Sequence, residues 1–184
     1  MKPFKELVFS ILDAFKARDQ KKLRKINDTV MEDAALNFTR PVYELAVLSY
    51  ILSKITSKPR FLAKENSSHL RRIEDEMREL AQISGAGDEE KTIAAFRRMD
   101  ASIALLEKVD PRFVRDLVSK GRLKTAATMY AQGISLGLAS DMTDIPKQDI
   151  LGYAGRTMMF DRVKGELSTK DRLKAARRAL GGRE

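Results

Sequence analysis

A chain of 184 residues with 43% hydrophobic content is long and apolar enough to build one real core, as one compact domain or a domain with a small appendage. Cysteine is absent, which excludes a disulfide framework, a thiolate zinc site and a cysteine nucleophile, and fits a reducing, cytoplasmic setting. The net charge of +9 lies at the two ends: residues 1–60 carry 12 basic against 7 acidic side chains, residues 61–120 carry 11 against 12, and residues 121–184 carry 12 against 7, a balance suited to a polyanionic partner.

Phe4, Leu7, Val8, Ile11, Leu12 and Phe15 recur at helical spacing and predict a first amphipathic helix. Asp13 and Lys16 interrupt that apolar run, so it does not read as a signal peptide. A basic cluster from Lys16 to Lys25 leads into a second helix with Leu23, Ile26, Val30, Ala34 and Phe38 on one stripe. Pro41 marks the first turn of a third helix, about Val42 to Thr56, apolar on nearly every side and therefore expected at the centre of a bundle. Glu44, Ser49, Ser53 and Lys54 make this run too polar, and its length is too short, to cross a bilayer, so no membrane partner is expected.

Pro59 ends the third helix, and Leu70, Ile73, Met77 and Leu80 define a fourth, with Asn66-Ser67-Ser68 breaking its beginning. Ser84-Gly85-Ala86-Gly87 reads as a linker. Asp88, Glu89 and Glu90 then open a fifth helix whose buried face is Ile93, Phe96, Met99, Ile103 and Leu106. Asp110-Pro111 is a helix start, leading to Phe113, Val114, Leu117 and Val118, with Gly121 expected to kink or split the helix before Leu123, Ala127 and Tyr130. Residues 156–167 look irregular, and Ser168 with Asp171 opens a last, basic helix. The fold class is all-α, with a helical bundle over 1–110 and a second region over 111–184.

Within that second region, residues 133–157 read as a helix-turn-helix. Ser135 is a good N-cap, and Ala139, Met142 and Ile145 share a face that Ile150, Leu151 and Tyr153 or Ala154 can meet from a second helix. Small residues at Ala139 and Ser140 permit a close, steep crossing. Asp144 falls where the chain must turn, and Pro146 opens the second helix.

The run Ile134-Ser135-Leu136-Gly137-Leu138-Ala139 resembles the helix-turn-helix of small archaeal and bacterial antitoxin-type regulators and of uncharacterised archaeal helical proteins. In the pattern, Gly-Ile leads into the recognition helix; here Asp144 replaces that Gly before Ile145. The resemblance implies nucleic-acid binding, DNA rather than RNA, and a role in transcription regulation. On the residues themselves, the expected contact set is Ser135, Lys147, Gln148, Arg156 and Thr157. Gln is suited to adenine edges, and Lys and Arg to bases or phosphates.

Arg122, Lys124, Arg156, Arg162 and the last helix, with Lys170, Arg172, Lys174, Arg177 and Arg178, are expected to hold phosphates. Asp141, Asp144 and Asp149 oppose this reading by making the motif less basic. Two-fold pairing into a homodimer would present two motifs to a repeated half-site. The alternative is a helical adaptor or structural protein in which the motif packs on a protein partner and the basic surfaces touch RNA.

Catalysis finds little support. His69 has no second histidine or cysteine for a metal pair or a dyad, and its separation from Arg60 departs from the shorter Arg-to-His spacing of helical ribonucleases. Glu74, Asp75, Glu76 and Glu79 interleave with Arg71, Arg72 and Arg78, which reads as a salt-bridged face. No cofactor and no metal are expected, and the chain reads as non-enzymatic.

Overall fold

The computed structural model describes residues 3–84, 87–108 and 116–161, and every regular element among them is helical. In α1, Phe4–Lys16, the predicted stripe from Leu7 to Phe15 is buried. Arg18 adopts a left-handed φ of 54° and reverses the chain into α2, Gln20–Leu36, where Asp19 caps the helix by accepting the Lys22 N–H at 2.9 Å. Leu23, Val30 and Ala34 are buried on α2, but Phe38 lies beyond it. The helix stops at Leu36 because Thr39 already caps α3; Phe38 instead packs beside Tyr43, ring centroids 6.1 Å apart.

The third helix, α3, is Arg40–Thr56, with Pro41 in its first turn. Thirteen of its 17 residues are buried, and it touches α1, α2, α5 and α6, the central place its all-round apolarity predicts. Asn27 of α2 is buried against it and donates through Nδ2 to the Ala46 carbonyl and to Ser49 Oγ, both at 2.9 Å, so that joint is polar and satisfied. After Pro59, two short 3-10 turns, Pro59–Leu62 and Lys64–Asn66, lead to α4, Ser67–Ser84. The break expected around Asn66 therefore falls at the start of this helix, where Asn66 Nδ2 donates to the Arg60 carbonyl at 2.8 Å.

Asp88 opens α5, Glu89–Lys108, its Oδ1 accepting the Lys91 N–H at 3.0 Å. Within α4 two of the expected pairs form, Arg72 with Glu76 at 3.1 Å and Arg78 with Asp75, whereas Glu79 and Glu74 pair outside the helix, with Arg98 of α5 at 2.7 Å and with Arg18 at 3.1 Å. His69 is half-buried in the first turn of α4. Among the described residues no group of three His, Asp or Glu could hold a metal ion, and no helix is long and apolar enough to cross a membrane.

α6, Leu117–Ala131, runs unbroken through Gly121, so the helix is not split there. The physical reason for glycine at this position is a close approach to α3: a Cβ on Gly121 would lie 3.1 Å from Ile51 Cγ1 and 3.2 Å from Val47 Cγ1. Glycine serves here as a contact point between two helices. Leu117, Val118 and Met129 of α6 face the main core, while Ala126, Ala127 and Ala131 face a second, smaller cluster. That cluster is completed by Ala139 of α7, Leu136–Thr143, by Ile150 and Ala154 of α8, Lys147–Arg156, and by Met159. The expected starts at Asp110-Pro111, with Phe113 and Val114, the boundary at 110, and the last basic helix lie outside the described residues.

Candidate nucleic-acid interface

The second cluster is built mostly from alanines, which lets α6, α7 and α8 cross closely. Ser135 begins the unit by capping α7, its Oγ accepting the Leu138 N–H at 3.2 Å. Asp144 ends α7 in the left-handed region, φ 59° and ψ 25°, the geometry assigned to the turn from sequence. Ser140 Oγ donates to the Ile145 carbonyl at 2.7 Å and closes the three-residue connection. Pro146 then stands just before α8 with φ −57° and ψ 137°, and its carbonyl accepts the Ile150 N–H at 3.2 Å. It is therefore the N-cap of this helix; the first helical position is Lys147.

Ile150 and Ala154 are fully buried on one side of α8, and Tyr153 and Thr157 are half-buried beside them. Lys147, Gln148, Asp149, Leu151, Gly152, Gly155 and Arg156 are all exposed; the helical period turns Gln148, Asp149, Gly152, Gly155 and Arg156 away from Ile150 and Ala154, whereas Lys147, three before Ile150 and seven before Ala154, keeps their side and is exposed because it starts the helix. Nothing lies within 4 Å of a Cβ built on Gly152 or Gly155, so the backbone itself is accessible on this face. Arg156 Nε donates to the Gly152 carbonyl at 3.2 Å, which tethers the root of the guanidinium to the helix. Lys147 folds over the first turn of α7, its Nζ 3.8 Å from a Cβ built on Gly137.

Of the expected contact set, Gln148 and Arg156 share the outer side of α8, whereas Lys147, nine residues before Arg156, lies half a turn away on the side toward α7. Ser135 is exposed at the start of α7, where its hydroxyl serves the cap. Thr157 turns to the inner side, and its Oγ1 donates to the Tyr153 carbonyl at 2.7 Å. Arg162, Lys170, Arg172, Lys174, Arg177 and Arg178 lie outside the described residues. In the segment after α8, Met159 and Phe160 staple onto the domain, with Phe160 edge-on to Tyr130 at 5.1 Å, while Met158 is exposed.

Arg122 does not stand among these contacts. It turns inward, with Nη2 2.8 Å from Asp100 Oδ2 and 3.3 Å from Glu44 Oε2. Glu44, only 5% exposed, also accepts from Arg40 Nε at 3.0 Å, and Arg40 Nη1 reaches Asp144 Oδ2 at 2.8 Å. One chain of charges thus runs from α5 through α6 and α3 to the turn before α8. It balances Asp144, one of the three acids that weigh against an anionic partner. Sequence reasoning missed this network, although Glu44 signalled it: a lone acid inside an apolar helix requires a buried cation.

Burial pushes the Asp100 carboxyl from its ordinary 3.8 up to about 6; the Arg122 charge opposes the shift, and Glu44 and Asp116 add to it. The sign for stability follows directly. Between those two values the native state holds a proton that the unfolded chain has released, so stability falls as pH rises through that interval and is flat above it. Asp100→Asn is expected to remove that slope, measured as urea unfolding midpoints across the interval. An unchanged slope would assign the pH dependence to other groups.

No protein-family model matches this chain, and no curated protein and no solved structure matches it either.

Proposed function

We propose that the protein is a non-enzymatic, DNA-binding regulator in which α7, the turn and α8 act as a helix-turn-helix. The observation that carries this reading is the exposure of Gln148 and Arg156 on the outer side of α8, with Lys147 exposed at its start, while Ile150 and Ala154 anchor the inner side. A helix of 10 residues presented in this way is about 15 Å long and suits the major groove. Gln148 supplies the donor–acceptor pair that adenine matches, Lys147 and Arg156 supply charge for phosphates or guanine, and exposed Leu151 supplies an apolar contact for a thymine methyl. Gly152 and Gly155 let the duplex approach the helix backbone.

The test is binding to random duplex DNA and to structured RNA across a salt series, with Lys147→Glu/Arg156→Glu as the comparison. The wild type is expected to bind duplex DNA with a steep salt dependence. Loss of two phosphate contacts should lower the slope by about 2 and weaken binding at every salt concentration. A double variant indistinguishable from wild type would move the contact to the basic ends of the chain.

A second reading has its own observation. Leu138 and Leu151 stand 49% and 50% exposed on α7 and α8, an apolar presentation that a protein partner or a second copy would cover. Absence of nucleic-acid binding at moderate salt would favour that adaptor role.

A further inference from the structure

Three helix ends gather cations at one end of the bundle. α2 runs antiparallel to α3, with Asn27 bonded to Ala46 and Ser49, so the start of α2 lies beside the end of α3. Gly121 packs on Val47 and Ile51, which brings the start of α6 to the same place. Lys21, Lys22 and Lys25 share the outward face of α2, and all three are exposed. Lys25 lines one groove with Lys54 of α3, and Lys120 is exposed near the start of α6. The Lys58 ammonium is held below its ordinary value, first by burial and then by the charges of Arg60, Lys120 and Lys54, with Glu107 opposing. Lys58 and Arg60 themselves lie over the Phe61 ring, 5.7 and 5.9 Å from its centroid, and add charge to this end.

The carboxylates nearby serve the backbone instead. Asp19 Oδ1 accepts the Lys22 N–H at 2.9 Å, Asp116 Oδ1 the Ser119 N–H at 3.0 Å, and Glu107 Oε1 the Leu117 N–H at 2.7 Å. Each is committed to a helix start. Exposed Asp28, one turn beyond Lys25, marks the edge of the patch. Among the described residues Lys21, Lys22, Lys25, Lys54 and Lys120 form no ion pair, whereas Arg18, Arg40, Arg72, Arg78, Arg98 and Arg122 all do. Like charges held together without acids between them repel, and the packing of these helices does not require them.

No large apolar side chain is exposed at the start of α2, the end of α3 or the start of α6, among the described residues. A membrane surface takes an apolar anchor, and a single strand takes aromatic rings on which its bases stack. A duplex backbone needs only charge.

We propose that this end of the bundle is a second, sequence-independent contact for duplex DNA, with Lys21, Lys22, Lys25, Lys54 and Lys120 on the phosphates. The choice of DNA rests on the reading of α8 given above; the patch itself uses no residue of α8.

The experiment measures binding of the full chain to a mixed-sequence DNA duplex across a salt series. Lys21→Gln/Lys22→Gln/Lys25→Gln/Lys120→Gln removes four charges and keeps helix propensity. It is expected to bind at least about tenfold more weakly and to lower the salt slope by about 3 to 4. Lys5→Glu/Arg97→Glu removes the same net charge from exposed sites elsewhere on the bundle, and should leave the slope within about 1 of wild type. Equal urea midpoints for the quadruple variant and wild type keep loss of binding separate from loss of fold.

A quadruple variant with the wild-type slope would overturn the proposal, even where Lys147→Glu/Arg156→Glu abolished binding. So would equal losses in the Lys5→Glu/Arg97→Glu control, or a preference for duplex RNA or phosphatidylserine vesicles over DNA. If the quadruple variant flattens the slope and Lys147→Glu/Arg156→Glu does not, the patch stands and the reading of α8 falls. Absence of binding to any duplex would overturn both.

Discussion

Gly121→Leu is expected to destabilise the protein by about 3 kcal/mol, because it overpacks the close crossing of α6 on α3. The Cβ alone would meet Ile51 Cγ1 at 3.1 Å and Val47 Cγ1 at 3.2 Å, both on the central helix α3. Those side chains are themselves fully or nearly fully buried, so they have no free space into which to move. Gly121→Ala sets two effects of similar size against each other. Alanine recovers up to about 1 kcal/mol of helix propensity, while its neighbours must give by a few tenths of an ångström. We therefore expect Gly121→Ala to stay within about 1 kcal/mol of wild type and Gly121→Leu to fall well outside it. Urea unfolding of both variants measures the difference. A leucine variant as stable as wild type would mean that α6 slides on α3 without loss, contrary to the geometry of this contact.

Gly121 also marks where the sequence stops being legible. α1, α3 and α4 each bury what their spacing predicts, because each faces one core or is enclosed by it. α6 serves two cores on different sides, so its apolar residues form no single stripe and the glycine looks like a break. Glu44 was visible as an oddity in an apolar helix, but its partners Arg40 and Arg122 could not be chosen from the basic residues available. The Arg40–Asp144 bridge spans 104 positions, and no local rule reaches that far.

The open face of α8 was legible for the opposite reason. Once Ile150 and Ala154 are placed inside, the helical period fixes Gln148 and Arg156 outside, while Lys147, in register with Ile150 and Ala154, is exposed only because it starts the helix. The same period places Tyr153 and Thr157 inside. That they line one groove with Tyr50, Lys54 and Gln132 depends on how two cores are stacked, which the sequence pattern does not encode.

Ile150→Ala is expected to cost about 2–5 kcal/mol and to loosen α7 and α8 while the bundle stays folded. Ile150 is fully buried, and five of its six buried companions are alanines. Alanine side chains have no rotamers with which to refill a void, so the site collapses poorly and the cost falls toward the upper end of that range. The small cluster is joined to the main one through α6 and half-buried Ile134, and α1–α5 bury their own apolar faces without Ile150.

Hydrogen exchange should therefore show faster opening over 136–156 with little change over 4–56. Ile150→Val, which leaves most of the volume, should cost about 0.5–1.5 kcal/mol. The variant also separates contact from presentation in DNA binding. Lys147, Gln148 and Arg156 remain chemically intact, so weaker binding at a temperature where the bundle is folded would show that the contacts need a rigid α8. Simultaneous opening of every helix in Ile150→Ala would instead make the two clusters one cooperative unit, and the turn held by Arg40 and Asp144 would then be the coupling to examine.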